Sequence, residues 1–368
     1  MKYTTLLKAV SILALLFTIT ACEEEKEGNT TVIEKPGGTI TVIEDAGEPA
    51  GRPSIKVERI DPYENMQISD WLDEDTVIVA KDNEALEKMS LAELSDAYPR
   101  SLYVYHLDTK EYELLKEREN AFLGEAALSA DKGYLLYSEV SLGDPVYYMM
   151  NLDTGEEAGL YGESIGGAMS ARWADNDTII GAAYSGGAYM ATKAGEITTI
   201  DELQEEALFI VHKMKDKWYY NTSADETLQV LDLATKEKAS LGLEHVYDVV
   251  PSPSGDQLLV LQQVGDRSTL VWCDETGGNR KTIAEGAELG GVSWSQDQRM
   301  IAYSLKADVS GTTHGLYVYD MLSDESTQIA VGIGNTVTRW SPSGESLAYT
   351  EWSGTQFNSH IVHIDSSL

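Results

Sequence analysis

Cysteine is almost absent: Cys22 and Cys273 are the only two in 368 residues. Two cysteines cannot build a disulfide framework, so the fold has to be held by an apolar core. Positive charge is scarce as well, with 27 Lys and Arg against 61 Asp and Glu and a formal net charge of -34. Such an excess of acid repels a phosphate backbone, which excludes a nucleic-acid partner, and it removes electrostatic attraction to anionic headgroups. No apolar run reaches the roughly 20 residues that span a bilayer. The stretch Ala9 to Ile19 has instead the length of a signal-peptide core. EF-hand spacing and a glycine-rich phosphate loop after a strand are both missing, so neither a metal site nor a cofactor is expected. His360 and His363 are the closest histidine pair, but that spacing on a strand turns the two rings to opposite faces.

What is present begins at the amino terminus. Lys2 and Lys8 precede the apolar stretch, which ends in Ile19-Thr20-Ala21-Cys22. That ending resembles the lipobox of bacterial lipoproteins. The resemblance implies cleavage after Ala21 and a diacylglycerol group on the Cys22 thiol. Residues 1–21 are then a signal peptide, and losing Lys2 and Lys8 moves the formal charge from -34 to -36. One acyl chain holds a protein to a membrane only marginally and two hold it stably, in keeping with diacylation. The expected location is the extracytoplasmic face of the cell membrane. Residues 22–53, starting Glu23-Glu24-Glu25-Lys26-Glu27, read as an acidic flexible tether. Within it, Thr31-Val32-Ile33-Glu34 recurs as Thr41-Val42-Ile43-Glu44 around Lys35-Pro36-Gly37-Gly38, enough for a weak hairpin. Cys273, inside Leu270-Val271-Trp272-Cys273, is expected as a small buried hydrophobe.

From residue 54 the chain repeats. The clearest unit is Trp-Ser, a short turn, then an apolar strand: Trp294-Ser295-Gln296-Asp297 before Met300–Tyr303, and Trp340-Ser341-Pro342-Ser343-Gly344 before Leu347–Tyr349. Equivalent anchors are Trp71, Leu128, Trp173, Lys213 and Pro251, giving successive spacings of 57, 45, 40, 38, 43 and 46 residues. These are close to the period of four-stranded propeller blades. A second signature, such as Tyr103-Val104-Tyr105-His106-Leu107-Asp108-Thr109 or Leu316-Tyr317-Val318-Tyr319-Asp320, supplies a further strand and an Asp-led turn. Inner strands such as Leu258–Leu261 are apolar at every position, as required where sheets are covered on both faces. The predicted fold is all-β: a seven-bladed β-propeller of four-stranded antiparallel blades over residues 54–368. The last repeat stops after its third strand, and Ser54–Ile60 is expected to supply the missing outer one and close the ring.

The recurrence of Trp-Ser-Pro-x-Gly and Tyr-Val-Tyr-Asp resembles the TolB-type, WD-like β-propeller repeats. The resemblance is specific for fold and silent on function. TolB itself binds partner proteins of the Tol–Pal system. Prolyl oligopeptidase-like enzymes carry the same repeats, with catalysis in an attached α/β-hydrolase; no nucleophile elbow and no such domain are expected here.

The residues just before the seven anchors are Asp70, Ala127, Arg172, His212, Val250, Ser293 and Arg339. They fall on the innermost strands, where side chains can face a central channel. Arg172, His212 and Arg339 are the potentially cationic members and form the candidate binding site for a carboxylate or phosphate group, in competition with pairing to Asp70 and nearby acids. The tryptophans of the anchors are expected to pack between blades. Residues 81–100 form an insertion in which Glu84–Met89 and Ser90–Leu94 read as helix, with Ser90 and Glu93 as a capping box. The resulting expectation is a tethered extracytoplasmic binding or scaffold module whose partner is an envelope protein, a peptide or a glycan. The alternative is a propeller enzyme of lactonase, lyase or glycosidase type.

Overall fold

The computed structural model describes residues 30–35, 38–43 and 55–365, apart from 91–93, 95, 309–313 and 335. Residues 1–21, expected as a signal peptide, and Cys22 lie outside the described residues. Of residues 22–53, Thr30–Lys35 and Gly38–Ile43 pair antiparallel, with Val32 opposite Thr41. Among the described residues no helix is long and apolar enough to cross a membrane.

The rest is a run of antiparallel sheets. Five are separate and four-stranded; a sixth has eight strands and divides at one parallel bridge, Arg100 to Phe122, into two four-stranded halves. The units therefore number seven, in chain order. Each begins with an inner strand: Gln67–Trp71, Phe122–Leu128, Arg172–Trp173, Leu208–Met214, Val246–Pro251, Glu288–Trp294 and Val337–Trp340. Pairing then proceeds outward in sequence order. The exception is the seventh blade, whose outer strand Lys56–Tyr63 comes from the start of the domain. It pairs with Phe357–Asp365, Val57 opposite Ile364 and Ile60 opposite Val362. This is the closure expected from the sequence.

Seven apolar clusters sit in the seven gaps between consecutive blades. The strand Gln257–Val264 shows why every position of its centre is apolar. Leu258 and Val260 pack toward the fourth blade, and Leu259 and Leu261 toward the sixth. Cys273 is fully buried in the first of these clusters, and burial pushes its thiol up to about 11, well away from reactivity. The seam is built like any other gap: Ile68, Trp71 and Val77 of the first blade meet Ala348 and Ile361 of the seventh.

The turns repeat as well. Where the third strand ends, an Asx side chain accepts backbone N–H groups ahead of it. Asp232 Oδ1 takes those of Ala234 and Thr235, and Asn151 Oδ1 those of Asp153 and Thr154. The next residue is left-handed, as at Lys110, Gly155 and Lys236. These turns are structural, as anticipated.

The first half of the insertion departs from expectation; the helix expected over Ser90–Leu94, with its Ser90–Glu93 capping box, lies largely outside the described residues. Glu84–Met89 is not helical: it turns at Glu84 and Ala85 and then runs irregularly to Met89. The Asn83 side chain takes the Ala85 N–H, the Asn83 carbonyl takes that of Leu86, and Met89 N–H bonds across to the Ala97 carbonyl. Asn83 thus competes successfully with the helical i to i+4 pattern. Met89 is buried beneath the loop, and Ser90 bonds Asn120.

Candidate functional site

Each anchor tryptophan does more than fill space. The indole N–H of Trp173 donates to the Ala127 carbonyl at 3.0 Å, that of Trp294 to Val250 at 3.2 Å, and that of Trp340 to Ser293 at 3.3 Å. Trp71 closes the circle by donating to the Arg339 carbonyl at 3.0 Å. In all four cases the acceptor is the residue before the previous blade's anchor. The position singled out for its side chains is therefore also where neighbouring blades are hydrogen-bonded. The signal was present in the sequence, as a Trp at one step and an acceptor one blade earlier, but only the ring brings them together.

The inner strands are bulged. Register shifts interrupt the inner strands of the first, second, fourth, fifth and sixth blades. Extra residues here re-aim side chains. In the second blade the bulge holds Glu125 left-handed at φ 47°, where its carboxylate accepts the Tyr147 hydroxyl at 3.0 Å. In the sixth, Gly291 is left-handed at φ 59°, and an added Cβ would stand 2.7 Å from the Thr336 carbonyl oxygen of the next blade. Only glycine fits there.

The seven positions before the anchors have separate fates. Asp70 accepts the N–H groups of Trp71 and Leu128, so it ties the first blade to the second, and among the described residues it pairs with no arginine. Ser293 bonds the Thr338 hydroxyl. Arg339 donates from Nε to the Ser69 carbonyl at 3.0 Å and from Nη1 to the Thr338 carbonyl at 2.9 Å. It is a clasp across the seam and lies apart from the other two candidates.

Arg172 and His212 are brought together. Arg172 Nη1 stands 2.5 Å from His212 Nε2 and 3.3 Å from Nδ1. A guanidinium only donates, so the imidazole must be the acceptor and must be neutral. Burial, together with the Arg172 charge, holds His212 well below its ordinary pKa. The expectation of three cations is corrected on this point: His212 is an uncharged partner. Burial also lowers Arg172, opposed by Asp248 and by the phenols of Tyr147 and Tyr189, but an arginine remains protonated throughout the biological range. Asp248 follows the bulge of the fifth blade and was not foreseen. Burial raises its carboxyl, while the Val249 N–H and Arg172 work the other way.

The pair opens on a cavity of about 380 Å³ at the face carrying the turns between first and second strands, with Lys213, Lys215 and Ser254 on its wall. Lys213 reaches Asp175 at 3.4 Å and Lys215 reaches Glu275 at 3.6 Å. Among the described residues, no carboxylate comes within ion-pair distance of Arg172. The cavity thus has one forked cation on which Asp248 acts from beyond ion-pair distance, in a protein with 61 acids.

Gly162-Glu163-Ser164-Ile165-Gly166 has the spacing of a nucleophile elbow, contrary to expectation. Its setting is wrong for one: the segment is a run of turns with Ser164 exposed and no helix following. Among the described residues no group of three or more His, Cys, Asp or Glu side chains is placed to hold a metal ion.

No protein-family model matches the chain, and no curated protein matches it in sequence. Solved structures do. An oligogalacturonate lyase in complex with manganese aligns at TM-score 0.61 over 92% of this chain and 96% of that one, with 13% identity. The oligogalacturonate lyase of Vibrio parahaemolyticus gives 0.62 over 91% and 96%, with 11% identity. The β-propeller domain of Cps50 (Swd1) from Myceliophteria thermophila gives 0.53 over 82% and 99%, with 12% identity. This chain has the β-propeller fold. At such identities the likeness speaks for the fold alone.

Proposed function

We propose that the protein is a membrane-tethered, extracytoplasmic propeller lipoprotein of the cell envelope that binds a small anionic group in the cavity beneath Arg172. One observation carries the binding half of this reading. Arg172 is a largely buried guanidinium whose hydrogen-bond partner is a neutral imidazole, and among the described residues no carboxylate lies within ion-pair distance of it, Asp248 acting from farther away. Desolvating a cation with no counter-ion in contact is costly, and a carboxylate or phosphate would relieve that cost with a two-pronged bond. Neutral His212 orients the fork without competing for the anion. The tethering half rests on the lipobox-like Ile19–Cys22 and the acidic segment after it.

Calorimetric titration with phosphate, citrate and oligogalacturonate, on the natural protein and on Arg172→Ala, tests the site. Saturable binding that falls about tenfold or more in the variant is expected; equal binding by both proteins rejects it. Release of product from any probe would replace the binding reading with the enzymatic one. Membrane fractionation and mass measurement of the amino terminus, with Cys22→Ser as control, test the anchor.

A further inference from the structure

A second cationic pocket opens on the opposite face, where the seventh, first and second blades meet. It has a volume of about 160 Å³ and is walled in part by Arg100, Phe122, Trp352 and Phe357. Arg100 starts the third strand of the first blade and makes the bridge to Phe122 in the second. Only three phenylalanines follow residue 21, and two of them contact this one guanidinium. Its Cζ lies 5.6 Å from the Phe122 ring centre and 4.7 Å from that of Phe357. Rings over a planar cation hold it in place and leave its edge, where the N–H donors project, for a partner.

That edge is poorly served from within. Among the described residues the carboxylate in range is Asp82, with Oδ1 3.7 Å from Nε. A charge-assisted hydrogen bond is about 1 Å shorter. The Arg100 side chain keeps 20% of its exposure and Asp82 39%, so Asp82 can turn to water if a better acceptor arrives. Beside the fork stands Trp352, 56% exposed, its ring 4.8 Å from Phe357 and tilted 59° to it. The floor is fixed by backbone and amide bonds: Met66 N–H to the Phe357 carbonyl at 2.9 Å, and Asn65 N–H with Gln356 Nε2 to Asn358 Oδ1 at 3.0 and 2.8 Å. A held fork beside an open indole is a receptor with two parts, one for a carboxylate and one for a flat apolar body.

We propose that this pocket binds a small ring-bearing carboxylate, its carboxylate on the Arg100 fork and its ring against Trp352. The site is separate from the cavity at Arg172 and stands whether or not that one binds anions. The test is calorimetric titration of phenylacetate into the full chain carrying Arg172→Ala, which removes any contribution from the other cavity. Saturable one-to-one binding is expected. The neutral analogue 2-phenylethanol should bind at least about tenfold more weakly, and so should phenylacetate to Arg100→Lys, which keeps the charge but loses the fork. Trp352→Ala should weaken phenylacetate by about three- to tenfold, the worth of an aromatic stack. Absence of saturable binding, equal binding of 2-phenylethanol, or unchanged affinity in Trp352→Ala would overturn the proposal. Trp352 is a surface side chain, so its removal leaves the blade intact and the result decisive even if an Arg100 variant fails to fold.

Discussion

Arg172 and Arg339 stand at the same step of the repeat, one residue before Trp173 and Trp340, and share none of their chemistry. Arg339 faces the first blade across the seam. There the Ser69 carbonyl takes its Nε–H, while its own carbonyl takes the Trp71 indole N–H. Arg172 faces the fourth blade, where the neighbouring side chain is His212, a neutral acceptor that leaves the charge unneutralised. The repeat sets where an inner-strand side chain goes. What it does there depends on the next blade in the circle, and for Arg339 that blade is the first, met through closure.

Opening the seam is the most severe way to break this comparison. A chain ending at Gln356 loses Phe357–Asp365, and with it the strand that Lys56–Tyr63 pairs with. Loss of a single cooperative thermal transition is expected, with broad melting in its place; a sharp transition would mean that closure is dispensable. The two arginines should next part company in single variants. Arg339→Ala should lower unfolding stability by about 2 kcal/mol or more, because two bonds from a charged donor are lost, while the folded fraction keeps its anion affinity. Arg172→Ala should do the reverse, weakening binding about tenfold or more with a small effect on stability. Equal behaviour of the two variants would erase the distinction.

A finer probe compares the seam with an ordinary gap. Trp71→Phe and Trp173→Phe each remove one indole bond to the preceding blade. Each should cost about 1–2 kcal/mol in chemical denaturation. A much larger loss at Trp71 would show the seam to be the weak point of the ring. The smallest effect comes from His212. Its folded pKa is depressed, so below the ordinary value near 6.5 the unfolded chain takes up a proton that the native one refuses. The stabilisation is complete above that pH and declines as pH falls. Relative to His212→Gln, the natural protein should lose stability as pH falls from 8 to 6, by on the order of 1 kcal/mol. Parallel pH profiles for the two proteins would mean that His212 is free to charge.

Much of this architecture was legible because its causes are local or periodic. Trp anchors at blade spacing, Asp-led turns and runs such as Leu258–Leu261 each announce a physical requirement: a filled gap, a reversed chain, a sheet covered on both sides. The outer strand of the seventh blade was legible by counting, since Lys56–Tyr63 had no other partner. The insertion was not, because the helix signals of Glu84–Met89 were outweighed by Asn83 and by burial of Met89 under the loop. Asp248 was missed since its place depends on a bulge, and a bulge reverses the alternation by which a strand's faces are read.

The amino-acid sequence determined by itself the all-β repeat, the number of blades, the strand that closes them and the acid excess that makes any cationic cavity conspicuous. Those follow from composition and periodicity, which act within a strand or between strands adjacent along the chain. Only the tertiary structure decided that His212 is a neutral acceptor, that Arg339 is a clasp and Arg172 is not, and that Arg100 lies against two phenyl rings beside Trp352. These outcomes depend on which groups from distant blades are buried side by side. Charge state and hydrogen-bond partner are properties of that company and of no residue alone.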